Sequence, residues 1–476
     1  MLLGGLDIGT TGCKLSLYDE WGEFKQNSYR EYVSNRSDDA QEIDAEAVWA
    51  AVKEVIREGA AYGRIDAIGV TSFGESFVLL DADDNVLLPS MLYTDKRGNE
   101  ECARFDAAEV EAITGAKPHG MYSLPKLMWV KEHLPDIYAK TKRILLFEDF
   151  VIYKLTKNAQ IDYSLACRTM GLDLKGKCWS RRLFDIAGID MEKMSKPVPS
   201  GTVAGTICAE GVGCEETIVV NGCHDQLAAL LGAGVSDACT AVDGTGTVEC
   251  VTPVLEEVPT DRELYAKGYT VVPHYLDGKY VCYAFSFTGG AALKWYKDTF
   301  VPEEDYAELD AKAGGVPTGI LILPHFAGAA TPYMDENSEA AIIGLTLATS
   351  KYDLYKAVME GVTYEMLLNI EELEKGGIRI EKLYATGGGA KSRAWLQLKA
   401  DILNREVVAL DAPEAGAAGT VMLAGIAMGA FADLTEARTR MVKVKESYLP
   451  DPARHAAYRK HYERYRGVYN AVRPLL

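Results

Sequence analysis

A hairpin-like segment at the start of the chain, residues 2–18 (LLGGLDIGTTGCKLSLY), constrains the fold more than any other stretch. Its two apolar arms suit a pleated, buried surface. The turn between them runs from Asp7 to Gly12 and holds two glycines and two threonines. N–H groups and hydroxyls in such a turn can wrap an anion, and Asp7 could hold a divalent cation beside that anion. The alternative is an ordinary hairpin with a tight turn.

A second hairpin of the same kind begins near the middle of the chain. Residues 240–251 (TAVDGTGTVECV) again show a strand, an acid-led Gly/Thr turn from Asp243 to Thr247, and a strand. Asp7 and Asp243 are separated by close to half of the 476 residues. Two such hairpins, each near the start of a half, indicate an internal duplication. Both halves mix strands with helices, and the chain is longer than one core normally serves, so we expect two large α/β domains.

Composition and charge narrow the classes of partner. The formal net charge of −19 argues against nucleic acid and against an anionic membrane surface. No apolar run reaches membrane-spanning length, and a strand begins too early for a signal peptide. The ten cysteines include no C-x-x-C pair, so neither a zinc site nor a disulfide framework is indicated. We therefore expect a reduced, cytoplasmic location.

Apolar spacing predicts several further elements. It favours helices over residues 44–59 and 354–373 and a buried strand over residues 65–73. The Tyr/Arg-rich tail from Tyr458 is expected to form a surface helix.

Three carboxylates follow apolar segments at predicted strand ends. These are Glu75, Asp95 and Asp225, and Asp225 lies in a turn that leads into a helix. Because α/β sheets gather ligands at such ends, the three are candidate site residues. Asp225 could accept the proton of a substrate hydroxyl that attacks a phosphate. Asp225 could instead be a helix N-cap, and Glu75 and Asp95 could be solvated loop acids.

A predicted strand over residues 383–386 breaks into a glycine-rich segment, residues 387–392 (GGGAKS), before another helix. That order suits packing a nucleotide against backbone. The segment matches neither the Rossmann fingerprint nor the Walker A loop. No G-x-S-x-G elbow accompanies His224-Asp225, which argues against a serine hydrolase. A nucleotide site here would therefore be of another kind.

Taken in order, these segments resemble the FGGY family of carbohydrate kinases, which shares the actin and hexokinase ATPase fold. Residues 7–14 resemble its first phosphate loop, residues 121–133 (MYSLPKLMWVKEH) its first signature and residues 340–360 its second. Asp225-Gln226, the second Gly/Thr turn and the glycine-rich segment follow in the family's order and spacing. The resemblance covers essentially the full length.

The resemblance implies two ribonuclease-H-like α/β domains with a cleft between them. Residues 1–237 would bind the sugar and residues 238–476 would bind ATP. Asp225 would be the general base, and Asp7 and Asp225 would hold Mg²⁺. The implied sugar contacts are Glu75, Tyr93, Asp95, Met121, Asp225 and Gln226. The implied ATP contacts are Thr10, Thr11, Lys14, Gly244, Thr245, Gly290, Lys294, Gly388, Gly389 and Ser392.

The family's branches differ in sugar, and this chain departs from several of them. Glycerol kinases carry an Arg-Glu pair where this chain has Gly74-Glu75, Tyr93 replaces a tryptophan, and Met121 stands where a tyrosine is usual. These departures argue against glycerol. Xylulokinases usually show Gln-Met-His in the region of residues 73–75, which are Phe-Gly-Glu here. The Thr331-Pro332 step and the glycine-rich segment are closer to the xylulokinase and gluconokinase branches.

The prediction is ATP-dependent phosphorylation of a primary hydroxyl on an open-chain ketose or polyol, with D-xylulose first. Gluconate, L-ribulose, L-fuculose, glycerol and erythritol are the alternative substrates. The rivals from other classes are a non-catalytic actin-like nucleotide switch and a hydrolase of the same superfold. Family analogy also allows a homodimer.

Overall fold

The computed structural model describes residues 1–37, 40–214, 216–411 and 414–475. The chain divides into two compact units. The first unit comprises Met1–Gly234, Val271–Lys279 and Glu414–Val442, and the second comprises Val235–Thr270, Tyr280–Pro413 and Lys443–Leu476. The first unit thus takes in two segments from the second half of the sequence. The assignment of residues 1–237 to the sugar and 238–476 to ATP stays a prediction.

Short strands alternate with helices through residues 1–234. The strands are β1 (Leu2–Ile8), β2 (Gly12–Asp19), β3 (Phe24–Glu31), β4 (Ser34–Arg36), β5 (Gln41–Ile43), β6 (Ala67–Ser72), β7 (Phe77–Leu80), β8 (Ser90–Met91), β9 (Arg143–Leu146), β10 (Gln160–Asp162), β11 (Leu172–Asp173), β12 (Cys178–Trp179), β13 (Lys196–Val198), β14 (Val203–Thr206) and β15 (Ile218–His224). The helices are α1 (Ala45–Tyr62), α2 (Asn99–Cys102), α3 (Ala107–Thr114), α4 (Ser123–His133), α5 (Pro135–Lys140), α6 (Phe147–Thr156), α7 (Tyr163–Cys167), α8 (Arg181–Ala187) and α9 (Asp225–Gly232), with a 3-10 turn at Met191–Lys193.

The remaining residues continue the alternation. The strands are β16 (Thr240–Thr245), β17 (Glu249–Leu255), β18 (Thr270–Pro273), β19 (Tyr280–Ser286), β20 (Leu321–Leu323), β21 (Ala341–Ile343), β22 (Lys382–Thr386), β23 (Glu406–Leu410) and β24 (Val444–Tyr448). The helices are α10 (Arg262–Ala266), α11 (Gly290–Phe300), α12 (Tyr306–Lys312), α13 (Lys351–Lys375), α14 (Arg393–Leu403), α15 (Ala415–Ala427), α16 (Leu434–Met441), α17 (Pro452–Tyr465) and α18 (Val468–Val472), with 3-10 turns at Gly388–Lys391 and Arg473–Leu475. None of the helices in the described ranges is long and apolar enough to span a bilayer.

The main sheets of the two units repeat one strand pattern. In the first unit the order is β14-β15-β6-β1-β2-β3, and in the second the strands β19-β17-β16-β22-β23-β24 lie in the corresponding arrangement. Each sheet has an antiparallel hairpin (β1–β2 or β16–β17), and its first strand runs parallel to a later one (β6 or β22). The two Gly/Thr turns therefore join equivalent strands, as an internal duplication requires.

Helix α1 covers the hairpin β1–β2 and shows how the sequence pattern becomes a core. Asp44 caps its N-terminus by accepting a 2.9 Å hydrogen bond from the N–H of Glu46. Its apolar side chains at helical spacing, including Val48, Val52 and Val55, are fully buried in the cluster around the sheet. Burying each such side chain contributes roughly 1.5–3 kcal/mol, so α1 keeps the strands that lead to the first turn in place.

Helix α15 packs directly on β1 and α9 because glycines face it. A Cβ added at Gly5 in β1 would lie 2.2 Å from the carbonyl oxygen of Ala417, and one at Gly232 in α9 would lie 1.9 Å from that of Ala415. Real Cβ atoms essentially never come within 3.0 Å of another heavy atom. Only glycine allows this approach, which brings the N-terminus of α15 to the end of β1.

The tail forms the predicted surface helix, with one of its faces buried. It forms α17, but Tyr458, Tyr462 and Tyr465 are buried. Their rings pack in the second unit, and the Tyr462 hydroxyl donates a 2.8 Å hydrogen bond to Glu371 on α13. The predicted surface helix is therefore present, and its tyrosines can be buried because a hydroxyl such as that of Tyr462 finds a partner.

Candidate active site

Strand register brings three carboxylates towards one edge of the first unit's sheet. Parallel pairing sets Asp7 of β1 opposite Thr71 of β6 and Ser72 opposite His224 of β15. Glu75 follows β6 by a short turn, and Asp225 follows β15 directly. The carboxyl ends of parallel strands are where α/β sheets place their ligand sites.

Asp225 combines a shielded carboxylate oxygen with access to solvent. About a third of its side chain is exposed, at 33%, yet its Oδ1 is buried and accepts no hydrogen bond from the described residues. The pKa of Asp225 is raised to about 7, mainly by burial and also by the charges of Asp7 and Glu75, while hydrogen bonding from Gln226 acts in the opposite direction. His224 is the N-cap of α9 and Asp225 is the first helical residue, so the N-cap interpretation of Asp225 was wrong. A carboxylate whose pKa lies near 7 is suited to general-base work.

Asp7 lies at the end of β1, beside a lysine that is already paired. The pKa of Asp7 is raised to about 6, because burial and the charge of Glu414 together outweigh the opposing charge of Lys14. Lys14 pairs with Asp7 across the hairpin, and its ammonium lies 2.7 Å from the Glu414 carboxylate. A contact from Lys14 to ATP stays a prediction.

Tyr32 holds the first Gly/Thr turn, residues 7–12, through hydrogen bonds to its backbone. The Gly9 N–H donates to the Gly12 carbonyl at 2.9 Å, and the Tyr32 hydroxyl donates to the Gly9 carbonyl at 2.5 Å. The Tyr32 N–H donates to the Thr11 carbonyl at 3.1 Å. Thr10 is half-buried and Thr11 is exposed, so both threonines remain candidates for the predicted phosphate contacts.

Glu75 is buried and pairs with an arginine that sequence reasoning missed. Nε of Arg168, the residue that ends α7, donates to Glu75 Oε1 at 2.5 Å, and both side chains are less than a tenth exposed. Glu75 has a φ of 66°, in the left-handed region, and its carbonyl accepts from the Ser123 hydroxyl at 2.6 Å. The solvated-acid interpretation of Glu75 was wrong. No local pattern pointed to Arg168, because its partner lies 93 positions away.

Asp95 is also buried, so the solvated-acid interpretation was wrong there too. Burial would raise its pKa, but hydrogen bonds from Arg97 and from the Gln41 N–H hold the pKa of Asp95 below its ordinary value. Both of its oxygens accept: Oδ1 from Arg97 Nε and Oδ2 from the Gln41 N–H, each at 2.8 Å. The fully buried Lys126 donates to the carbonyls of Asp95 and Gly120 at 2.7 Å each. Lys126 therefore ties together the loops that carry the predicted sugar contacts Tyr93 and Met121, both half-buried.

The second unit holds a buried charge cluster beneath the second turn. Lys399 of α14 donates to Asp243 Oδ2 and Thr245 Oγ1 at 2.6 Å and to Glu249 Oε1 at 2.8 Å. Burial raises the pKa of Glu249, and Lys399 opposes that shift. Burial alone would lower the pKa of Lys399, but the two carboxylates raise it. Sequence reasoning missed Lys399, which in the sequence is one lysine on an amphipathic helix.

Most of the residues predicted to contact ATP in the second unit lie close together. Cβ atoms added at Gly387 and Gly389 would lie 2.5 Å from the Thr245 carbonyl oxygen and 2.6 Å from the Thr245 Cβ, so the glycine-rich segment contacts the second turn. The N–H of Gly290 donates to the Gly246 carbonyl at 2.8 Å, which brings the start of α11 to the same place.

Two further predicted ATP contacts differ in their surroundings. Ser392 caps α14 by accepting from the Trp395 N–H at 3.0 Å, and it donates to Asp310 at 2.6 Å. Lys294 is exposed and pairs with Asp298 one helical turn away. The ATP roles of both residues stay predictions.

Comparison with known proteins identifies the family. Residues 2–232 match the model of the N-terminal domain of the FGGY family of carbohydrate kinases, and residues 244–428 match that of its C-terminal domain. The xylulose kinase of Bacillus subtilis is 27% identical over 487 residues, covering 99% of this chain and 97% of that protein.

Solved structures show the same fold. The crystal structure of a gluconate kinase from Lactobacillus acidophilus has a TM-score of 0.92 and 26% identity, over 99% of this chain and 98% of that one. A ligand-bound xylulose kinase from the same organism has a TM-score of 0.92 and 25% identity, with the same shares covered. The predicted two-domain α/β fold and the predicted enzyme class, a carbohydrate kinase using ATP, are confirmed. Since the two domain models match most of the sequence, in order and on the segments that form the two turns, the chain belongs to the FGGY family of carbohydrate kinases.

Proposed function

We propose that this protein transfers the γ-phosphoryl group of ATP to a primary hydroxyl of an open-chain ketose or polyol, with D-xylulose as the first candidate. Asp225 carries the proposal: its carboxylate directly follows β15, its side chain is about a third exposed, and its pKa is raised to about 7. As general base, it takes the proton of the sugar hydroxyl as that oxygen attacks phosphorus. The similarity to the xylulose kinases of Bacillus subtilis and Lactobacillus acidophilus supports this substrate class.

The charges around Asp225 favour an uncharged sugar over gluconate. Arg168 offsets the charge of Glu75, so Asp7 and Asp225 are the carboxylates that determine the sign of the charge here. Burial and the charge of Arg168 hold the pKa of His224 well below its ordinary value, so His224 adds no positive charge. An aldonate would bring its own carboxylate into this negative field. We therefore rank D-xylulose and other neutral ketoses above gluconate.

Asp7 and Asp225 suit a Mg²⁺ ion. Magnesium takes oxygen ligands and is commonly held by one or two carboxylates together with substrate phosphates. The Asp225 side chain is about a third exposed, so its carboxylate can provide such an oxygen. Within the described residues, no group of three or more His, Cys, Asp or Glu side chains is placed to cage a metal by itself. When bound, Mg²⁺ would neutralise charge that develops on the phosphate oxygens.

We assign nucleotide binding mainly to the second unit. The glycine-rich segment, the start of α11 and the second turn meet around Thr245. Backbone N–H groups of such loops are suited to binding phosphate. The first turn, with Thr10 and Thr11, would contribute further phosphate contacts. We also propose a cytoplasmic location, which the ten free cysteines support. A homodimer is a further proposal, made by analogy with the family.

An ADP-release assay on a panel of sugars tests the substrate, and Asp225→Asn tests the base. We expect release with D-xylulose to exceed that with gluconate, L-ribulose, L-fuculose, glycerol or erythritol. The D225N variant should bind ADP normally and lose turnover by about 10³-fold or more. Release that ignores every sugar would instead indicate a hydrolase, and no release at all would indicate a nucleotide switch.

A further inference from the structure

Lys399 is buried beneath the second turn, and all its donors are used by one hairpin. The side chain is 2% exposed. A lysine ammonium has three donors and no acceptor, and these three bind Asp243 and Thr245 of β16 and Glu249 of β17. The ammonium therefore joins both arms of the hairpin to helix α14. It also lies 5.0 Å from the ring centre of Trp395 on the same helix.

The hydrogen bond from Lys399 determines the direction in which the Thr245 hydroxyl can donate. Because Oγ1 of Thr245 accepts from the Lys399 ammonium at 2.6 Å, the hydroxyl proton must point to another acceptor. The position where Gly389 would carry a Cβ lies 3.2 Å from that Oγ1, so glycine leaves room beside it. A hydroxyl polarised in this way is a good donor to an anionic oxygen.

We propose that Lys399 is a positioning residue of the nucleotide site, which acts through Thr245 and the second turn. It holds the two strands of the hairpin in register and, through the buried Thr245, fixes the turn whose backbone would meet a nucleotide phosphate. This inference rests on the proposed function, since it takes the second turn to be a phosphate loop. Lys399 touches neither the nucleotide nor the reacting atoms.

A purely structural ion pair is the alternative, and the variants must separate the two roles. Removing Lys399 alone leaves buried carboxylates without a cation, which destabilises a fold strongly. Replacing both members of a buried pair is far less costly. We therefore pair Lys399→Met with the triple variant Lys399→Met/Asp243→Asn/Glu249→Gln, which removes the lysine together with both of its buried carboxylate partners.

Arg405→Met is the matched control. Arg405 is a largely buried cation at the start of β23, with hydrogen bonds to the Ile380 and Leu403 carbonyls. Arg405 directly precedes β23, whose first residue, Glu406, pairs with Lys382 at the start of β22. The glycine-rich segment follows the opposite end of β22. The R405M variant therefore removes a buried cation from the same unit, at the opposite end of the strands from the second turn.

The measurements are the Kd of ADP by calorimetry, KM for ATP and for D-xylulose, and the midpoint of thermal unfolding. We expect both Lys399 variants to raise the ADP Kd and the ATP KM by about tenfold or more, with the sugar KM within about twofold. R405M should lower the unfolding midpoint and leave the ADP Kd unchanged. If K399M does not fold, the triple variant decides.

A folded Lys399 variant with a wild-type ADP Kd overturns the inference. Thr245→Val then separates two failures. If T245V weakens ADP binding while the Lys399 variants do not, only the positioning role is wrong. If T245V also binds ADP normally, the assignment of the second turn to the nucleotide is wrong as well.

Discussion

The stem of Arg168 occupies the space that Gly74 leaves empty. A Cβ added at Gly74 would lie 2.8 Å from Arg168 Cγ and 2.9 Å from its Cβ. From there the guanidinium reaches Glu75 and lies 5.1 Å from the centre of the Tyr122 ring. This chain lacks the arginine that precedes the glutamate in glycerol kinases, and Arg168 at the end of α7 provides a guanidinium beside Glu75 instead.

Arg168→Met should weaken sugar binding selectively. Loss of the guanidinium leaves the Glu75 carboxylate buried and unpaired, which costs about 3–5 kcal/mol of folding free energy and displaces Glu75. Steady-state kinetics should show the D-xylulose KM raised by about tenfold, with the ATP KM within about twofold. Gly74→Ala, which pushes the same stem aside, should shift the sugar KM in the same direction. An unchanged sugar KM in folded R168M would show that Glu75 does not bind the sugar.

The pH profile of kcat/KM should report the ionisation of Asp225. A general base must be deprotonated, and the pKa of Asp225 is raised to about 7. With ATP saturating, kcat/KM for an uncharged sugar should fall tenfold per pH unit below an apparent pKa near 7. A rate that stays flat from about pH 5 to pH 8 would be incompatible with Asp225 as the base.

Asp225→Asn should stabilise the fold at high pH. The folded-state pKa is raised from the ordinary 3.8 to about 7, so the folded protein binds this proton more tightly than the unfolded chain does. The stability gained from the proton is present below about pH 4 and is lost as pH rises through about 7. At pH 8 the neutral amide should raise the free energy of unfolding by about 1–2 kcal/mol, a figure reduced for the partial exposure of the side chain. Urea unfolding at pH 8 and pH 4 measures the difference, which should shrink at pH 4; a less stable D225N at pH 8 would contradict the raised pKa.

Gly232→Ala should destabilise the packing of helix α15 against α9. The new methyl group would lie 1.9 Å from the Ala415 carbonyl oxygen, a backbone atom that cannot turn away. We expect a loss of about 3 kcal/mol in the free energy of unfolding, measured with urea. Gly315→Ala is the control, because a Cβ there meets no atom within 4 Å, and it should change stability by less than about 0.5 kcal/mol. Equal stability of the two variants would contradict the close packing of α15.

Local pattern was enough for the features whose causes are local. The two Gly/Thr hairpins, the N-cap of α1 at Asp44 and the long helix α13 follow from residues close together in sequence. The candidate base Asp225 was found in the same way, because it directly follows an apolar strand. The family and fold class were also within reach, since ordered short motifs carry that information.

The environment of each site residue was decided by the tertiary structure alone. Arg168 lies 93 positions from Glu75, and Lys399 lies 156 positions from Asp243. In the sequence each is a charged residue of the kind usually found at a surface. Strand register and helix packing bury both beside carboxylates, and burial makes those charges matter by removing the water that would screen them. The sequence by itself determined where the turns and the candidate base lie. Only the fold decided which cations hold Glu75 and the second turn, because that depends on which distant segments exclude water together.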